Sequence, residues 1–354
     1  MNSERLGSIR DILKEKELDG LLLTGEVSRF YATGLKTSAG TVLLTPEAGV
    51  FITDFRYTEA AKAKLGGLFT VEQNTLERKT PDIIQEYVKK GRRLGVEADL
   101  MTMKNAAGWK KLYKLVPAEQ GIHDLRAVKD EAEIGAMRQA QRIAEKVYEE
   151  ILTFLRPGIT ERTVCAEIVY RLYKHGAEKP SFDPIVASGP NSSMPHAVPT
   201  DRVIENGDFV TLDFGCVYKG YCSDMTRTVA IGEADEEMRK VYGVVLEAQA
   251  AGIAAAKAGV IGKEVDAAAR KVIADAGYGE FFGHGFGHGL GLEVHESPNA
   301  NAAEEKTLPA GAVISAEPGI YLPGRFGVRI EDVLALTADG CVNLMFASKE
   351  LTVV

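Results

Sequence analysis

The sequence predicts an α/β domain followed by a larger α+β domain in which helices pack outside a curved, mostly antiparallel sheet. Helical and strand patterns alternate over roughly the first third of the chain, and longer amphipathic helices then alternate with β-rich runs. With 354 residues, 45% of them apolar, the chain is long enough for two domains. A short segment at 123–129 joins the parts, so we place the domains at 1–124 and 125–354.

The first domain begins with an amphipathic helix over 4–17. The predicted strands cover 19–25, 40–45, 49–53 and the region near 94–97, with a helix after Arg56. No combination of residue types suited to catalysis occurs in this domain. We therefore expect the chemistry to lie in the second domain.

The second domain begins with a long helix whose start is clearly marked. Asp130 is a good N-cap residue, and Glu133 three residues later completes a capping box. Apolar residues then recur at three- and four-residue steps from Ile134 to Leu155, where Arg156-Pro-Gly158 ends the helix. Further helices are predicted at about 161–175, 236–258 and 263–276.

Two aspartates lie in a predicted β-hairpin over 210–229. The two runs fold back around a turn at Lys219-Gly220, and each run carries one aspartate, Asp213 or Asp224, near its middle. By two-residue alternation, Asp213 shares a strand face with the small residues Thr211 and Gly215. A carboxylate on such a face is open to a cavity.

Three residues in later segments complete a set of five metal-ligand types. The set is Asp213, Asp224, His288, Glu317 and Glu331. Two divalent cations would neutralise its four carboxylates, which would otherwise repel one another and raise their pKa values. Such oxygen-rich ligation suits Mn(II), Fe(II) or Co(II) at least as well as Zn(II). Two ions roughly 3.5–4 Å apart lower the pKa of a shared water and polarise a carbonyl, which indicates amide or ester hydrolysis.

Composition excludes several other classes of function. The net charge of −8 and the lack of a basic stripe argue against nucleic-acid binding. Nothing approaches a membrane-spanning apolar run, and the first residues are too polar for a signal peptide, so we expect no membrane partner and a cytoplasmic location.

Five segments give the chain a family resemblance: 188–196, 213–228, 287–296, 317–321 and 327–332. In their order and spacing they resemble the creatinase and aminopeptidase superfamily with its pita-bread catalytic fold, and within it the Xaa-Pro peptidases, aminopeptidase P and prolidase. The portion before residue 125 is similar to the creatinase/prolidase N-terminal domain. A weaker likeness runs along essentially the whole chain.

The resemblance implies a role for each candidate site residue. Asp213 would bind one metal bidentately, Asp224 and Glu331 would bridge the two metals, and His288 and Glu317 would complete the other metal's ligands. The implied catalytic residues are His196, His295 and Glu317, and Glu317 would transfer a proton to the leaving proline nitrogen. Candidates for substrate contact are His284, Phe286, Tyr321 and Arg329, although Arg329 could instead orient a metal carboxylate.

The implied function is a dinuclear metallo-exopeptidase, expected to be a homodimer, that acts on peptides with proline at the second position. Mn(II) or Co(II) would be the metal, with Zn(II) and Fe(II) as alternatives. An Xaa-Pro dipeptidase is the main alternative function, followed by a methionine-type aminopeptidase and a non-catalytic peptide-binding module. Asn299 is neutral where some dipeptidases of the family carry arginine, which favours aminopeptidase P.

Overall fold

The computed structural model describes residues 3–354, which divide into two compact units with the boundary between Arg126 and Ala127. The division falls after Arg126, whereas the sequence pattern placed it after Asp124. Residues Glu119–Ala127 form a helix, so the segment around His123 that was expected to be a linker is helical. No helix among the described residues combines the length and the apolar composition that crossing a bilayer requires.

The first unit is a six-stranded sheet with helices, as predicted. Its helices are α1 (Ser3–Glu15), α2 (Glu26–Thr33), α3 (Phe55–Leu65), α4 (Thr80–Tyr87), α5 (Met103–Trp109) and α6 (Glu119–Ala127). Its strands are β1 (Gly20–Leu23), β2 (Thr41–Leu44), β3 (Gly49–Thr53), β4 (Thr70–Gln73), β5 (Arg93–Val96) and β6 (Lys114–Pro117), in the sheet order β4-β3-β2-β1-β5-β6. Strand β1 runs parallel to β5 and antiparallel to β2.

The buried carboxylate of Glu97 lies at the N-terminus of helix α2 in the first unit. The backbone N–H groups of Thr24 and Gly25, at the start of α2, donate to Glu97 at 2.6 and 2.9 Å. A helix N-terminus attracts anions, and here the protein supplies its own.

Four helices cover the sheets of the second unit: α7 (Glu131–Phe154), α8 (Glu161–Lys174), α9 (Glu236–Ala255) and α10 (Gly262–Asp275). The capping box of α7 is confirmed, because Asp130 accepts from the Glu133 N–H at 2.9 Å and Glu133 accepts from the Asp130 N–H at 2.8 Å. Its predicted apolar stripe, including Met137 and Ile151, is buried in the core.

The strands of the second unit pair only antiparallel, in four sheets. They are β7 (Lys179–Pro180), β8 (Ile185–Ser188), β9 (Phe209–Phe214), β10 (Cys216–Tyr218), β11 (Tyr221–Cys222), β12 (Met225–Ala230), β13 (Gly287–Gly289), β14 (Glu296–Ala300), β15 (Val313–Ala316), β16 (Gly319–Leu322), β17 (Phe326–Arg329), β18 (Asp332–Leu336) and β19 (Cys341–Asn343). The sheet orders are β11-β10-β7, β12-β9-β8, β14-β13-β15-β18-β19 and β16-β17. The predicted antiparallel architecture is therefore confirmed, although the strands belong to several sheets.

The hairpin that carries the two aspartates has the predicted turn and a register symmetric about it, but its strands are interrupted beside Asp224. Lys219 and Gly220 have φ values of 49° and 89°, as a tight hairpin turn requires. Asp213 pairs with Thr226, and Asp224 lies at the break between β11 and β12 instead of in mid-strand. The backbones come very close at this break, since a Cβ on Gly215 would lie 1.9 Å from the carbonyl oxygen of Ser223.

Candidate metal centre

The five predicted ligands lie in or beside antiparallel strands of the second unit. Asp213 is in the central strand β9 and Asp224 directly precedes its partner β12. His288 is the middle residue of β13, Glu317 directly follows β15, and Glu331 lies between β17 and β18. Asp213 and His288 lie within strands and the other three lie just outside strand ends, and the fold brings all five side chains to one cavity.

The five side chains lie close together. One ligand atom each of Asp224, His288 and Glu331 lies within 4.8 Å of the other two. His288 Nε2 is 3.8 Å from Asp224 Oδ2 and 3.1 Å from Glu317 Oε1. The two remaining carboxylates also have partners outside the set: Asp213 Oδ2 accepts from the Arg329 guanidinium, and Glu317 Oε1 accepts from Ser315 at 3.0 Å.

Unpartnered carboxylate oxygens show that these residues fit a metal. Asp213 Oδ1, Asp224 Oδ1 and Glu331 Oε1 are all buried without a hydrogen-bond partner. Leaving such an atom buried and unpaired is expensive, roughly 1–3 kcal/mol or more for a charged group. Divalent cations bound by oxygen ligands would satisfy all three atoms. His288 is suitably oriented as well, because its Nδ1 is 3.1 Å from the Gly289 carbonyl and leaves Nε2 toward the carboxylates.

Electrostatic repulsion among the carboxylates is visible in their pKa values. Burial, followed by the charge of Asp213, raises the pKa of Asp224 well above its usual value. Burial and the charge of Asp224 do the same for Glu331. Burial also raises the pKa of Asp213, although the Arg329 charge opposes the shift. The predicted upward shifts are therefore confirmed for these three groups in the metal-free protein.

Glu317 departs from that expectation. Its burial would raise the pKa, but the hydrogen bond and charge of His288 outweigh burial and lower the pKa to about 2. Burial likewise disfavours the charged form of His288, yet Glu317 and Asp224 raise its pKa to about 9. In the absence of metal, His288 and Glu317 thus form a charged pair.

Two buried glutamines support the ligands from behind, and sequence reasoning missed both. Gln141 of α7 donates to the backbone carbonyl of Asp224 at 3.0 Å. Gln249 of α9 donates to the carbonyls preceding Glu317 and Glu331, at 3.1 and 3.2 Å. Each glutamine follows a buried apolar residue by four positions on its helix, and an amide at such a core position was the available signal.

The other predicted site residues divide into those that line the cavity and those that do not. His196, His284, His295 and Arg329 line it. Tyr321 does not, but its hydroxyl contacts His284 Nε2 and the Arg329 guanidinium, each at 2.8 Å. Tyr321 therefore lies behind the wall and orients two residues that belong to it.

Phe286 also lies outside the cavity lining and is fully buried. Its ring packs so closely on α9 that a Cβ on Gly252 would lie 2.2 Å from it. The apolar wall is formed elsewhere, by Phe182, Pro184, Ile185, Pro195, Ala197, Val198, Pro199 and Val294. The cavity has a volume of about 530 Å³, within the range typical of small-ligand sites.

Both units match models of known families. The model described as Metallopeptidase family M24 matches residues 135–338, more than half of the chain. The chain belongs to metallopeptidase family M24. A second model, Creatinase/Prolidase N-terminal domain, matches residues 5–128. The resemblance found in the sequence is thereby confirmed for both units.

Relatives of this M24 chain are similar over its whole length. An Xaa-Pro dipeptidase of Pyrococcus horikoshii is 37% identical and covers 99% of each chain. The solved structure of an Xaa-Pro dipeptidase from Bacillus anthracis has a TM-score of 0.94 at 40% identity and covers 99% of each chain. An X-Pro aminopeptidase from Thermotoga maritima has a TM-score of 0.91 at 36% identity, covering 98% of this chain and all of its own.

Membership of family M24 makes the chain a peptidase and implies that it binds a divalent metal. The structural similarity also confirms the predicted pita-bread fold. The cluster described above is the candidate site for the metal.

Proposed function

We propose that this peptidase is a dinuclear metal-dependent exopeptidase that removes the N-terminal residue from Xaa-Pro peptides, as aminopeptidase P does. The observation that carries the proposal is the cluster of four carboxylates and His288 beside a cavity with an apolar wall. The residues that would hold two ions are Asp213, Asp224, His288, Glu317 and Glu331. Their oxygen-rich chemistry favours Mn(II) or Co(II), with Zn(II) and Fe(II) as alternatives.

Bound divalent ions supply a more acidic water and polarise the scissile carbonyl. The side chains provide the remaining functions. Glu317, which is ionised, can accept the proton that the attacking water loses and deliver it to the leaving proline nitrogen. Burial and the nearby His288 lower the pKa of His295, so its neutral ring can donate a hydrogen bond to the substrate carbonyl oxygen. His196 lines the same cavity and can hold the peptide.

The apolar wall suits proline. An Xaa-Pro amide has no N–H, so its nitrogen requires no hydrogen-bond acceptor from the enzyme. The pyrrolidine ring can instead bury apolar surface against side chains such as Phe182 and Val198. A site with these properties accepts a bond that peptidases requiring an N–H donor reject.

The charges of the cavity favour a peptide longer than two residues. Among the described residues that line it, Arg329 is the only arginine or lysine, and its guanidinium already bonds Asp213, Tyr321 and the Pro195 carbonyl. Arg325, the other nearby cation, pairs with Glu237 on the surface. Arg329 is thus already engaged, Arg325 is not among the lining residues, and Asn299 in the lining is neutral.

An Xaa-Pro dipeptidase is the second candidate, because relatives that match the full length carry that name. One experiment distinguishes the two functions. Metal-stripped protein is assayed with and without Mn(II) or Co(II) on an Xaa-Pro dipeptide, an Xaa-Pro-Yaa tripeptide and an Xaa-Ala-Yaa tripeptide. We expect metal-dependent cleavage of Xaa-Pro-Yaa in preference to the others. Preference for the dipeptide would establish the second candidate, and cleavage of Xaa-Ala-Yaa alone would refute both.

A further inference from the structure

One fully buried carboxylate outside the metal cluster holds both ends of a segment that lines the cavity. Glu161 is the first residue of α8, and its side chain has no exposure to solvent. Its Oε1 accepts from the Ser188 N–H at 2.7 Å and from the Ser188 hydroxyl at 2.8 Å. Its Oε2 accepts from the Thr200 N–H at 2.9 Å and from the Thr200 hydroxyl at 2.6 Å. Asn191 completes the set with bonds to both oxygens, at 3.1 and 3.2 Å.

The segment closed in this way contributes one continuous part of the cavity wall. Residues 195–199 all line the cavity, and they include His196 at the centre of the stretch. The first half of the segment has additional support, because Ser192 accepts from the Gly327 N–H at 2.9 Å and the Pro195 carbonyl accepts from Arg329 at 3.3 Å. The residues that follow His196 end at Thr200, which bonds the Glu161 carboxylate and whose carbonyl accepts from the Arg162 N–H at 3.1 Å.

The chemistry of the carboxylate agrees with this task. Burial alone would raise the pKa of Glu161, but the hydrogen bonds from Thr200 and Ser188 outweigh burial and lower it. The group is therefore ionised at neutral pH, and bonds to an ionised acceptor are about twice as strong as neutral ones. An ionised carboxylate accepts through roughly four lone-pair sites on two oxygens, whereas a neutral amide accepts through one oxygen only, so a neutral residue could not accept this many donors.

We propose that Glu161 is a positioning residue that fixes His196 and the apolar stretch 195–199 against the substrate, independently of the metal ligands. This rests on the proposed function, because the stretch matters only if the cavity receives a peptide. Glu161 acts through the segment and does not itself line the cavity.

The substitution Glu161→Gln tests the proposal, because it keeps the size of the side chain and must release one end of the segment. Each carboxylate oxygen accepts a backbone N–H, one from Ser188 and one from Thr200. The amide nitrogen of glutamine cannot accept, so it faces one of those N–H groups in either orientation. Thr200→Val is a milder second variant on an exposed residue: it removes the hydroxyl, which donates to Glu161 and accepts from Asn191 and the Arg202 N–H, but keeps the Thr200 N–H. Glu167→Gln is the matched control on the same helix, where the carboxylate pairs with Arg171.

Three quantities are measured for each variant: kcat and KM on Xaa-Pro-Yaa, hydrogen exchange of peptides, and Mn(II) binding by calorimetry. For Glu161→Gln we expect kcat/KM to fall roughly 10- to 100-fold with a raised KM. We also expect exchange over 188–200 to accelerate by roughly the same factor, with exchange over 225–230 and Mn(II) affinity unchanged. Thr200→Val should change the same quantities less, and Glu167→Gln should match the wild type.

The rise in KM is decisive, because a variant that merely folds less well has a lower apparent kcat and an unchanged KM. The proposal is overturned if Glu161→Gln retains the wild-type KM, or if Mn(II) affinity and exchange over 225–230 change together with activity. Failure of the proposed function would look different, since the wild-type protein itself would then leave Xaa-Pro-Yaa uncleaved. In that case, unchanged hydrogen exchange over 188–200 in Glu161→Gln would still refute the claim that Glu161 holds this segment in place.

Discussion

Metal binding to this site is predicted to release protons and to strengthen as pH rises. In the metal-free protein the pKa values of Asp224 and Glu331 are raised well above their usual values, and that of His288 is about 9. His288 therefore holds a proton at pH 7, Asp224 and Glu331 keep theirs to a higher pH than ordinary carboxyl groups do, and Glu317, with a pKa of about 2, is already ionised. A metal binds only the deprotonated forms, so it must displace these protons.

The size of the effect follows from the number of groups. His288 alone releases about one proton at pH 7, so the metal affinity rises about tenfold per pH unit, and the raised pKa values of Asp224 and Glu331 steepen this rise over the pH range in which those groups are protonated. The sign is fixed by the direction of the shifts: raised pKa values favour the protonated, metal-free form, and that preference disappears once the pH exceeds them.

Calorimetry measures the release directly. Mn(II) is titrated into metal-stripped protein at one pH in two buffers of different ionisation enthalpy, and the difference in heat gives the number of protons. Asp224→Asn should release fewer protons than the wild type, while Asp275→Asn, which changes an exposed carboxylate, should behave like the wild type. Identical heats in the two buffers would refute the electrostatic reasoning.

Three further predictions concern stability, ligand support and specificity. Arg227→Met breaks an ion pair with Asp332 in which both side chains are 1% exposed, so it should lower the free energy of unfolding by about 3 kcal/mol. Urea titrations measure the change, and a loss below about 1 kcal/mol would contradict the prediction. Gln249→Leu should weaken Mn(II) binding roughly 10- to 100-fold in calorimetric titrations, because it removes the bonds to the carbonyls preceding two metal-ligand candidates. The control Val245→Ala on the same helix should lower stability without changing Mn(II) affinity, and equal losses of affinity in the two variants would exclude a specific role of Gln249 in metal binding. Asn299→Arg adds a cation to the cavity lining that can pair with the free carboxylate of a dipeptide, so it should raise the ratio of dipeptide to tripeptide kcat/KM by roughly 10- to 100-fold. An unchanged ratio would mean that the proline carboxylate does not lie near residue 299.

Local sequence rules predicted the features that depend on neighbours in the chain. The capping box at Asp130 and the turn at Lys219-Gly220 each need only a few consecutive residues, and both are present. The continuity of a strand depends on more than alternation. The second run of the hairpin is interrupted at Asp224, where the backbone at Gly215 lies close to that of Ser223, and a two-residue pattern contains no information about such a break.

The wall of the cavity illustrates a second limit. Alternation correctly separates the two faces of a strand, but it does not reveal which face meets a cavity and which meets a helix. Phe286 faces the core because Gly252 on α9 leaves room for its ring, a contact between residues far apart in sequence. Glu161 and Gln249 were missed for the same reason, since their partners lie tens of residues away.

Arg329 connects the metal end of the cavity with its peptide end. It is 3% exposed, and its guanidinium bonds Asp213, the Tyr321 hydroxyl and the Pro195 carbonyl. A buried guanidinium is tolerated only when its donors are used, so altering any one partner disturbs the others. Substitution of Arg329 would therefore shift a metal ligand and the substrate wall together. Glu161 holds the same wall from its opposite end without contacting a metal ligand, and for that reason its variants can separate peptide binding from metal binding.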